Sequence, residues 1–279
     1  MGVIAMDEAR RLRYLAAMGI QAWQPRVAAD SDQAPRAALT PNPDPATTTG
    51  ATGAQAVLQA IARASSARRA QAEASPVARA PDDQHGIAGM DWDGLETRVA
   101  ECRRCPLCET RTNTVFGIGD RHAELLFVGE GPGQDEDQQG EPFVGRAGQL
   151  LNKMLAAIGL AREQVYIANI VKCRPPRNRN PAPDEASACR VYLERQIALI
   201  EPKLIVSLGA VSANNLLGHS EAVGRMRGKH HHYRPSDGAE PIPLLVTYHP
   251  SYYLRSPAEK AKGWQDLQRI IETVREPFE

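Results

Sequence analysis

The chain has 279 residues, enough for one large domain or one medium-sized domain with an appendage. Its 33 basic and 33 acidic side chains cancel, so the overall charge neither favours nor excludes a polyanionic partner. No run approaches the roughly 18 apolar residues of a membrane span, and the acidic N-terminus lacks the apolar region of a secretion signal. With an odd number of cysteines, five, these features predict a cytoplasmic protein without a disulfide framework.

The first predicted element is a helix in an N-terminal segment that spans residues 1–26. In residues 7–18 (DEARRLRYLAAM), apolar side chains recur at helical spacing beside arginines, and Gly19 can end the helix. The helix either docks on the main domain or binds a partner as a peptide on a tether. Residues 27–89 are rich in Ala, Pro, Thr, Ser and Gln. They predict a flexible linker, because few large apolar side chains are present to offset the entropy of ordering.

Residues 90–279 alternate between apolar strands and helices. Strands are predicted from short apolar, β-rich runs without polar alternation, at 124–129, 165–171, 203–209 and 243–248. Helices are predicted at 91–102, 147–158, 184–200, 210–217 and 259–274. The alternation predicts an α/β fold, a three-layer α/β/α sandwich with a central four-stranded parallel sheet.

Unusual segments follow the predicted strands. The first is followed by GEGPGQDEDQQGEPFVGRAG at 129–148, the second carries Asn169, and the fourth leads into TYHPSYYLR at 247–255. Because open α/β sheets bind ligands at the carboxyl ends of their strands, Glu130, Asn169 and His249 are expected to share one pocket. The glycine-rich loop permits close approach to a ligand, but it lacks the Gly-Lys-Ser/Thr ending of a phosphate-binding P-loop.

Four of the five cysteines predict a metal site: Cys102, Cys105, Cys173 and Cys189. A C-x-x-C pair with two distant thiolates makes a sulfur cage of the kind that holds zinc or an iron–sulfur cluster, whereas a zinc ribbon has two closely spaced knuckles. Cys108 is interpreted as a non-ligand, although five sulfurs for four positions leave that choice open. Ordinary buried thiols are the alternative.

Three segments together resemble the family 4, iron–sulfur uracil-DNA glycosylases. They are the GE-x-PG and PFVG-x-AG-x-LL elements at 129–151, NIVKCRPPRNRNPAPDE at 169–185 and HPSYYLR at 249–255. The resemblance covers about residues 98–275, with the motifs in the family's order, and excludes the first 90 residues. It implies the uracil-DNA glycosylase fold and a [4Fe–4S] cluster held by Cys102, Cys105, Cys173 and Cys189. The cluster is interpreted as structural, since the sequence carries no flavin or NAD motif.

The reaction that this resemblance implies sets roles for the pocket residues. The uracil nucleotide must leave the duplex so that its Watson–Crick edge is read in a pocket. Asn169 is expected to read that edge with its amide, and Phe143 to stack on the base, which contributes roughly 1–3 kcal/mol. His249 is expected to donate a hydrogen bond to uracil O2 as negative charge develops, and Glu130 to orient the attacking water. Ordinary structural roles are the alternative for each.

The water-activating acid is the least certain of these roles. Family 1 glycosylases carry an aspartate in the corresponding loop, whereas the aligned residue here is Gly131, which is counted among the substrate-binding residues. Asp135, Glu136 and Asp137 are alternatives to Glu130. A run of acidic residues is, however, usually a solvated loop.

Binding of DNA requires positive charge and a residue that fills the vacated base stack. The predicted DNA contacts flank the second cysteine segment and the HPSYYLR motif: Arg174, Arg177, Arg179, Ser251, Leu254 and Arg255. Ser251 is expected to hold a flanking phosphate, and Leu254 or Arg255 to act as the wedge. The histidine run at 230–232 is interpreted as a basic surface loop, because adjacent histidines do not easily face one metal ion.

The sequence therefore predicts a monomeric uracil-DNA glycosylase that initiates base-excision repair on single- or double-stranded DNA. Under the tether interpretation, the N-terminal helix binds a replication or repair protein. One alternative, a variant that traps uracil-DNA covalently through a histidine-containing insertion, is disfavoured because this chain keeps CRPP and lacks the insertion. A second alternative is a non-catalytic iron–sulfur DNA-binding module.

Overall fold

The computed structural model describes residues 84–275 together with Leu12, Ala16 and Gly19. These residues belong to one of two compact units, Met1–Ala22 with Arg79–Glu279; the other, Trp23–Ala78, lies outside the described residues, as does most of the predicted linker. Leu12 and Ala16 are helical, and the Gly19 N–H donates to the Ala16 carbonyl at 2.9 Å. Leu12 is partly buried against the hydrophobic core, which fits the docking interpretation of this segment.

The strands of residues 84–275 form one sheet: β1 (Ile118–Gly119), β2 (Leu125–Gly129), β3 (Tyr166–Asn169), β4 (Leu204–Leu208), β5 (His231–Tyr233) and β6 (Ile242–Thr247). Their order is β1-β3-β2-β4-β6-β5. Neighbouring strands among β3, β2, β4 and β6 pair in parallel, whereas β1 and β5 pair antiparallel at the two edges. The predicted four-stranded parallel sheet is therefore corrected to a mixed sheet of six strands among the described residues.

The two edge strands explain the difference from the prediction. β1 has only two residues, and β5 begins with His231 and His232 instead of the apolar side chains that mark a buried strand. In β5 these histidines pair with Leu244 and Pro243 of β6, and Tyr233 is buried. Residues 231–233 are thus an edge strand, which corrects the prediction of a basic surface loop.

Helices connect the strands: α1 (Gln84–Ala88), α2 (Trp92–Ala100), α3 (Gln134–Gln139), α4 (Arg146–Ala157), α5 (Pro183–Ile200), α6 (Ala210–Leu217), α7 (Val223–Met226), α8 (Pro250–Arg255) and α9 (Lys260–Arg275). α1 falls inside the predicted linker. Its Ile87 is 1% exposed and packs in the core, so ordered structure begins before the predicted boundary at residue 90. None of the helices in the described part of the chain has the length and apolar character to cross a membrane.

The core lies on both faces of the sheet. Along β2, Leu126 and Val128 belong to one hydrophobic cluster, whereas Leu125 and Phe127 belong to the other. Helices α2, α5 and α6 contribute to the first cluster, and α4 and α9 to the second. Each fully buried aliphatic or phenylalanine side chain contributes about 1.5–3 kcal/mol. Helices therefore cover both faces of a central sheet. Because β3, β2, β4 and β6 pair in parallel, their carboxyl ends lie at the same edge of the sheet.

Candidate active site

A cavity of about 570 Å³ lies at the carboxyl ends of the parallel strands. This volume is within the roughly 300–1,000 Å³ typical of small-ligand sites. The structure brings the five residues predicted to catalyse or to bind the substrate to this one pocket: Glu130, Gly131, Phe143, Asn169 and His249. The segment 209–211, which follows β4, completes the wall between them.

Asn169 ends β3 and is 2% exposed. Its Oδ1 has no hydrogen-bond partner among the described residues. A buried acceptor without a donor costs free energy, so a ligand N–H in the pocket would satisfy it. Gly129 makes room for this arrangement, because a Cβ there would lie 2.4 Å from Asn169 Oδ1 and 2.7 Å from the Phe143 ring.

Phe143 forms an aromatic wall of the pocket. Its side chain is 5% exposed, and its ring centroid lies 5.4 Å from that of His249 at an interplanar angle of 30°. The ring therefore presents a fixed flat surface, on which a planar ligand can stack.

His249 follows β6 and caps α8. Its Nδ1 accepts the Ser251 N–H at 3.2 Å and lies 2.8 Å from Ser251 Oγ. Nδ1 is thus unprotonated, the hydroxyl donates to it, and the ring proton is on Nε2. Burial, aided by the charge of Arg255, lowers the pKa of His249 to about 4. The imidazole is therefore neutral at physiological pH, and its Nε2–H, which has no partner among the described residues, can donate to a ligand.

Two of the three acidic residues of α3, Glu136 and Asp137, have structural roles. Glu136 accepts the N–H groups of Gly133 at 3.1 Å, Val144 at 3.0 Å and Gly145 at 2.9 Å. Asp137 is buried, and its Oδ1 accepts the N–H of Thr112 at 2.8 Å. The expectation of a solvated acidic loop is thus wrong for Glu136 and Asp137. Their carboxylates accept backbone N–H groups and so hold the loop around the pocket.

Glu130 is a half-buried carboxylate in the pocket, and its side chain makes no hydrogen bond with another described residue. Burial raises its pKa above the usual value. The neighbouring Gly131 has little room for a side chain, since a Cβ there would lie 2.7 Å from Val171 Cγ2. In this pocket the free carboxylate therefore comes from position 130 and not from position 131.

The five cysteines line a second cavity. They are Cys102, Cys105, Cys108, Cys173 and Cys189, and none forms a disulfide. No three His, Cys, Asp or Glu side chains within the described residues are placed to hold a single metal ion. Cysteine thiolates are the donors that iron–sulfur clusters take, and five cysteines line this cavity. Cys108 reaches the same cavity, which leaves its exclusion a prediction.

Hydrogen bonds to sulfur also fit an anionic cluster. Arg111 Nη1 donates to Cys173 Sγ at 3.1 Å, and the Lys172 N–H donates to Cys189 Sγ at 3.3 Å. Such donors to ligand sulfurs tune iron–sulfur clusters. Burial raises the pKa of Cys105 to about 11 and that of Cys189 to about 12, so binding of metal must displace protons.

Some of the side chains predicted to contact DNA already form hydrogen bonds within the protein, whereas others do not. Arg179 lines the pocket but donates to both Glu185 oxygens, at 2.7 and 2.6 Å. Both donors of Ser251 go to His249, so Ser251 orients the imidazole instead of offering a donor to a phosphate. Leu254 packs partly buried against the core, whereas Arg255 is exposed at the pocket rim.

The other two arginines of the second cysteine segment lie outside the pocket lining. Arg174 Nε donates to Asn178 Oδ1 at 2.7 Å. Arg177 is exposed on a turn in which its φ is 58° and that of Asn178 is 54°. An exposed guanidinium on such a turn is available to a phosphate.

A buried hydrogen-bond network, which the sequence did not predict, stabilises the segments on either side of His249. Asp266 of α9 accepts the Thr247 hydroxyl at 2.7 Å and Arg227 Nη2 at 2.8 Å. Thr247 Oγ1 also lies 3.0 Å from the Tyr253 hydroxyl. These residues join β6, α8 and α9 on either side of His249. The contacts of Asp266 reach 19 and 39 positions along the chain, and no local sequence signal identifies them.

Lys172, for which the sequence predicts no role, is buried beside the cysteine cavity. Its Nζ donates to Gln196 Oε1 at 2.5 Å, and Gln196 Nε2 donates to the Phe116 carbonyl at 2.9 Å. These hydrogen bonds connect the loop after β3, which carries Lys172, to α5, which carries Gln196.

The fold defines an α/β protein whose pocket, at the carboxyl ends of the parallel strands, combines an aromatic wall, a buried amide and groups suited to stabilising charge. The chain belongs to the uracil DNA glycosylase superfamily, whose model matches residues 116–268, more than half of the chain.

Individual relatives show which members of the superfamily the chain resembles. The type-4 uracil-DNA glycosylase of Archaeoglobus fulgidus is 42% identical over 184 residues, 64% of this chain and 92% of that protein. The type-4 uracil-DNA glycosylase of Thermotoga maritima is 45% identical over 178 residues, 63% of this chain and 87% of that protein. The type-5 uracil-DNA glycosylase of Thermus thermophilus is 33% identical over 199 residues, 58% of this chain and 88% of that protein.

Proposed function

We propose that the protein is a uracil-DNA glycosylase that hydrolyses the N-glycosidic bond of uracil in DNA and so initiates base-excision repair. The observation that carries the proposal is the common pocket of Glu130, Phe143, Asn169 and His249. Five type-4 uracil-DNA glycosylases that are 41–45% identical to the chain support it.

The pocket reads an extruded uracil. A base inside the duplex cannot reach the cavity, so the nucleotide must swing out of the stack. Phe143 stacks on the base, Asn169 Oδ1 accepts uracil N3–H, and Asn169 Nδ2 donates to O4. Cytosine presents an amino donor in place of O4 and an acceptor at N3, so the same amide discriminates against it.

Catalysis follows from the charges that develop as the bond breaks. Uracil leaves with negative charge spread onto O2, where the neutral His249 donates from Nε2. Positive charge builds on the sugar, which the Glu130 carboxylate faces. Water then adds to C1′ and passes its proton to Glu130. The half-buried site strengthens both interactions, because less water screens them.

Replacing Glu130 by glutamine is expected to lower the rate of uracil release by about 10²-fold or more, within the range of general-base contributions. The amide keeps the shape of the side chain but neither carries negative charge nor accepts a proton from water. Single-turnover rates with excess enzyme on a uracil-containing oligonucleotide measure this step. Affinity for the same DNA should change little.

Asp135 provides the control, since it is an exposed acid on α3. Asp135→Asn should retain the wild-type rate. If instead Asp135→Asn slows release and Glu130→Gln does not, Asp135 and not Glu130 positions the water.

We further propose a [4Fe–4S] cluster held by Cys102, Cys105, Cys173 and Cys189. Its role is structural: it fastens the C-x-x-C segment to the loop after β3 and to α5. The loop after β3 includes Pro175, which lines the substrate pocket. Loss of the cluster would therefore loosen one pocket wall.

Single cysteine variants test the cluster and its ligands. Serine at any of the four proposed ligand positions is expected to lower bound iron and visible absorption, because a cluster site needs four thiolates. Cys108→Ser is the matched control and should keep both. Zinc in a colourless wild-type protein would exclude the cluster, and iron loss from Cys108→Ser would make Cys108 a ligand.

For DNA contacts, we propose that Arg174, Arg177 and Arg179 meet phosphates and that Arg255 or Leu254 acts as the wedge. Arg255 is favoured because it is exposed at the pocket rim. We propose a cytoplasmic monomer. For the N-terminal segment we favour docking over partner binding, since Leu12 contacts the core.

Alkali treatment after incubation with uracil-containing single- and double-stranded oligonucleotides tests the function directly. Strand breaks at uracil are expected, and their absence would refute the enzyme. DNA binding without breaks would favour the non-catalytic iron–sulfur module. A complex that persists on a denaturing gel would favour the covalent trapping variant.

A further inference from the structure

Phe143 has an unusual backbone conformation for a bulky residue. Its φ is 55°, in the left-handed region that side chains with a Cβ rarely adopt. The same residue supplies the aromatic wall of the pocket. A strained conformation persists only where the surrounding structure determines it, and such residues cluster at functional sites. The contacts that hold Phe143 therefore decide where its ring stands.

Arg162 holds this turn from the carbonyl side. Its Nη1 donates to the Phe143 carbonyl at 3.2 Å, and its Nη2 donates to the Pro142 carbonyl. Nη1 also lies 3.3 Å from Asn152 Oδ1 of α4. A guanidinium presents donors in a rigid planar fork, so one side chain can fix two successive carbonyls. The short ammonium of a lysine lacks this geometry.

The opposite side of the turn is closed as well. Glu136 accepts the N–H groups of Val144 and Gly145 at 3.0 and 2.9 Å. The Phe143 carbonyl packs against α4, where a Cβ on Gly148 would lie 1.7 Å from its oxygen. The turn is thus clamped at its N–H groups by Glu136 and at its carbonyls by Arg162.

The location of Arg162 gives the clamp a functional meaning. Arg162 begins a short 3₁₀ helix, Arg162–Gln164, directly before β3, and β3 ends at Asn169. The residue therefore ties the turn that carries the stacking ring to the strand that carries the base-reading amide. Arg162 does not line the pocket, so it touches neither the base nor the sugar.

We propose that Arg162 is a positioning residue that holds the Phe143 ring against the extruded base. The proposal rests on the proposed function. Loss of the clamp lets the turn relax toward an ordinary backbone conformation, and the ring then leaves its stacking position. The chemical groups His249 and Glu130 remain in place.

Arg162→Gln is expected to lower kcat/KM for a uracil-containing oligonucleotide by about 10- to 100-fold, a loss within the range of one base-stacking contact. Arg162→Lys should recover part of this loss, because an ammonium can still donate to one carbonyl. Arg121→Gln is the control: this arginine pairs with Asp93 and Glu96, and its side chain is 44% exposed. Thermal unfolding identifies an assay temperature at which each variant is folded.

A double-mutant cycle with Phe143→Leu separates positioning from general stability. If Arg162 acts through the ring, Arg162→Gln should cost less than about threefold in the Phe143→Leu background. Losses that multiply, or an Arg162→Gln variant within twofold of wild type, would overturn the proposal. If Arg162→Gln does not fold, the Arg162→Lys cycle gives the same comparison. Inactive wild-type protein would refute the proposed function itself, whereas active wild type with an additive cycle refutes only the role of Arg162.

Discussion

Replacing His249 by alanine is expected to slow the release of uracil by about 10²- to 10³-fold, the loss typical of one donor to a developing oxyanion. The charge on uracil O2 appears only as the glycosidic bond breaks. The hydrogen bond therefore favours the transition state over bound substrate, and affinity for uracil-containing DNA should change little. Single-turnover rates with excess enzyme measure the effect. The exposed His219 is the matched control, and His219→Ala should leave the rate unchanged.

The pH dependence offers an independent test of His249. Its pKa in the folded protein, about 4, lies below the usual 6.5 of histidine, because burial and the charge of Arg255 disfavour the imidazolium. The neutral donor is therefore present above about pH 5 and is lost as pH falls through 4. A rate that already falls near pH 6.5 would contradict a neutral His249.

The same shift affects folding. Between pH 6.5 and 4 the unfolded chain binds a proton at this position that the folded protein does not bind. Stability contributed by the neutral imidazole should thus be complete above pH 6.5 and decrease as the pH falls through this window. Urea unfolding at pH 7 and pH 5 should show a smaller decrease for His249→Ala than for wild type.

The sequence predicted the part of the fold that local patterns specify. Apolar runs located β2, β3, β4 and β6, and the rule for strand ends brought Glu130, Asn169 and His249 to one pocket. β1 was missed because it has only two residues, and β5 because two of its three residues are histidines, so neither gives an apolar strand pattern. Edge strands pair on one side only, so their existence depends on a neighbour already in place.

Residues that act through other residues could not be predicted in this way. Glu136 looked like one acid in a solvated run, yet three backbone N–H groups converge on it. Arg162 and Asp266 have no motif around them. Arg162 bonds to Phe143 and Asp266 to Thr247, each 19 positions away along the chain. Such roles depend on the folded loop and appear only once its course is known.

Asn169→Asp is expected to reduce uracil release by at least about 100-fold and to lower the preference for uracil over cytosine. An ionised carboxylate has no donor for O4 and repels the departing uracil anion. A protonated carboxylic acid would match the edge of cytosine, since its O–H faces the N3 acceptor and its carbonyl accepts from the amino group. Parallel assays on oligonucleotides with uracil or cytosine at one position measure both effects. Asn180 lines the same pocket but is exposed, so Asn180→Asp introduces a similar charge and should preserve the preference.

The result separates recognition from chemistry because both variants keep His249 and Glu130. A general electrostatic effect of one added charge would slow Asn180→Asp as well and leave the ratio of uracil to cytosine unchanged. Loss confined to Asn169→Asp, with a smaller ratio, assigns base reading to the amide whose Oδ1 is buried without a partner among the described residues. If Asn169→Asp instead removes uracil at the wild-type rate, another group reads the base, and the unpaired oxygen has a purely structural origin.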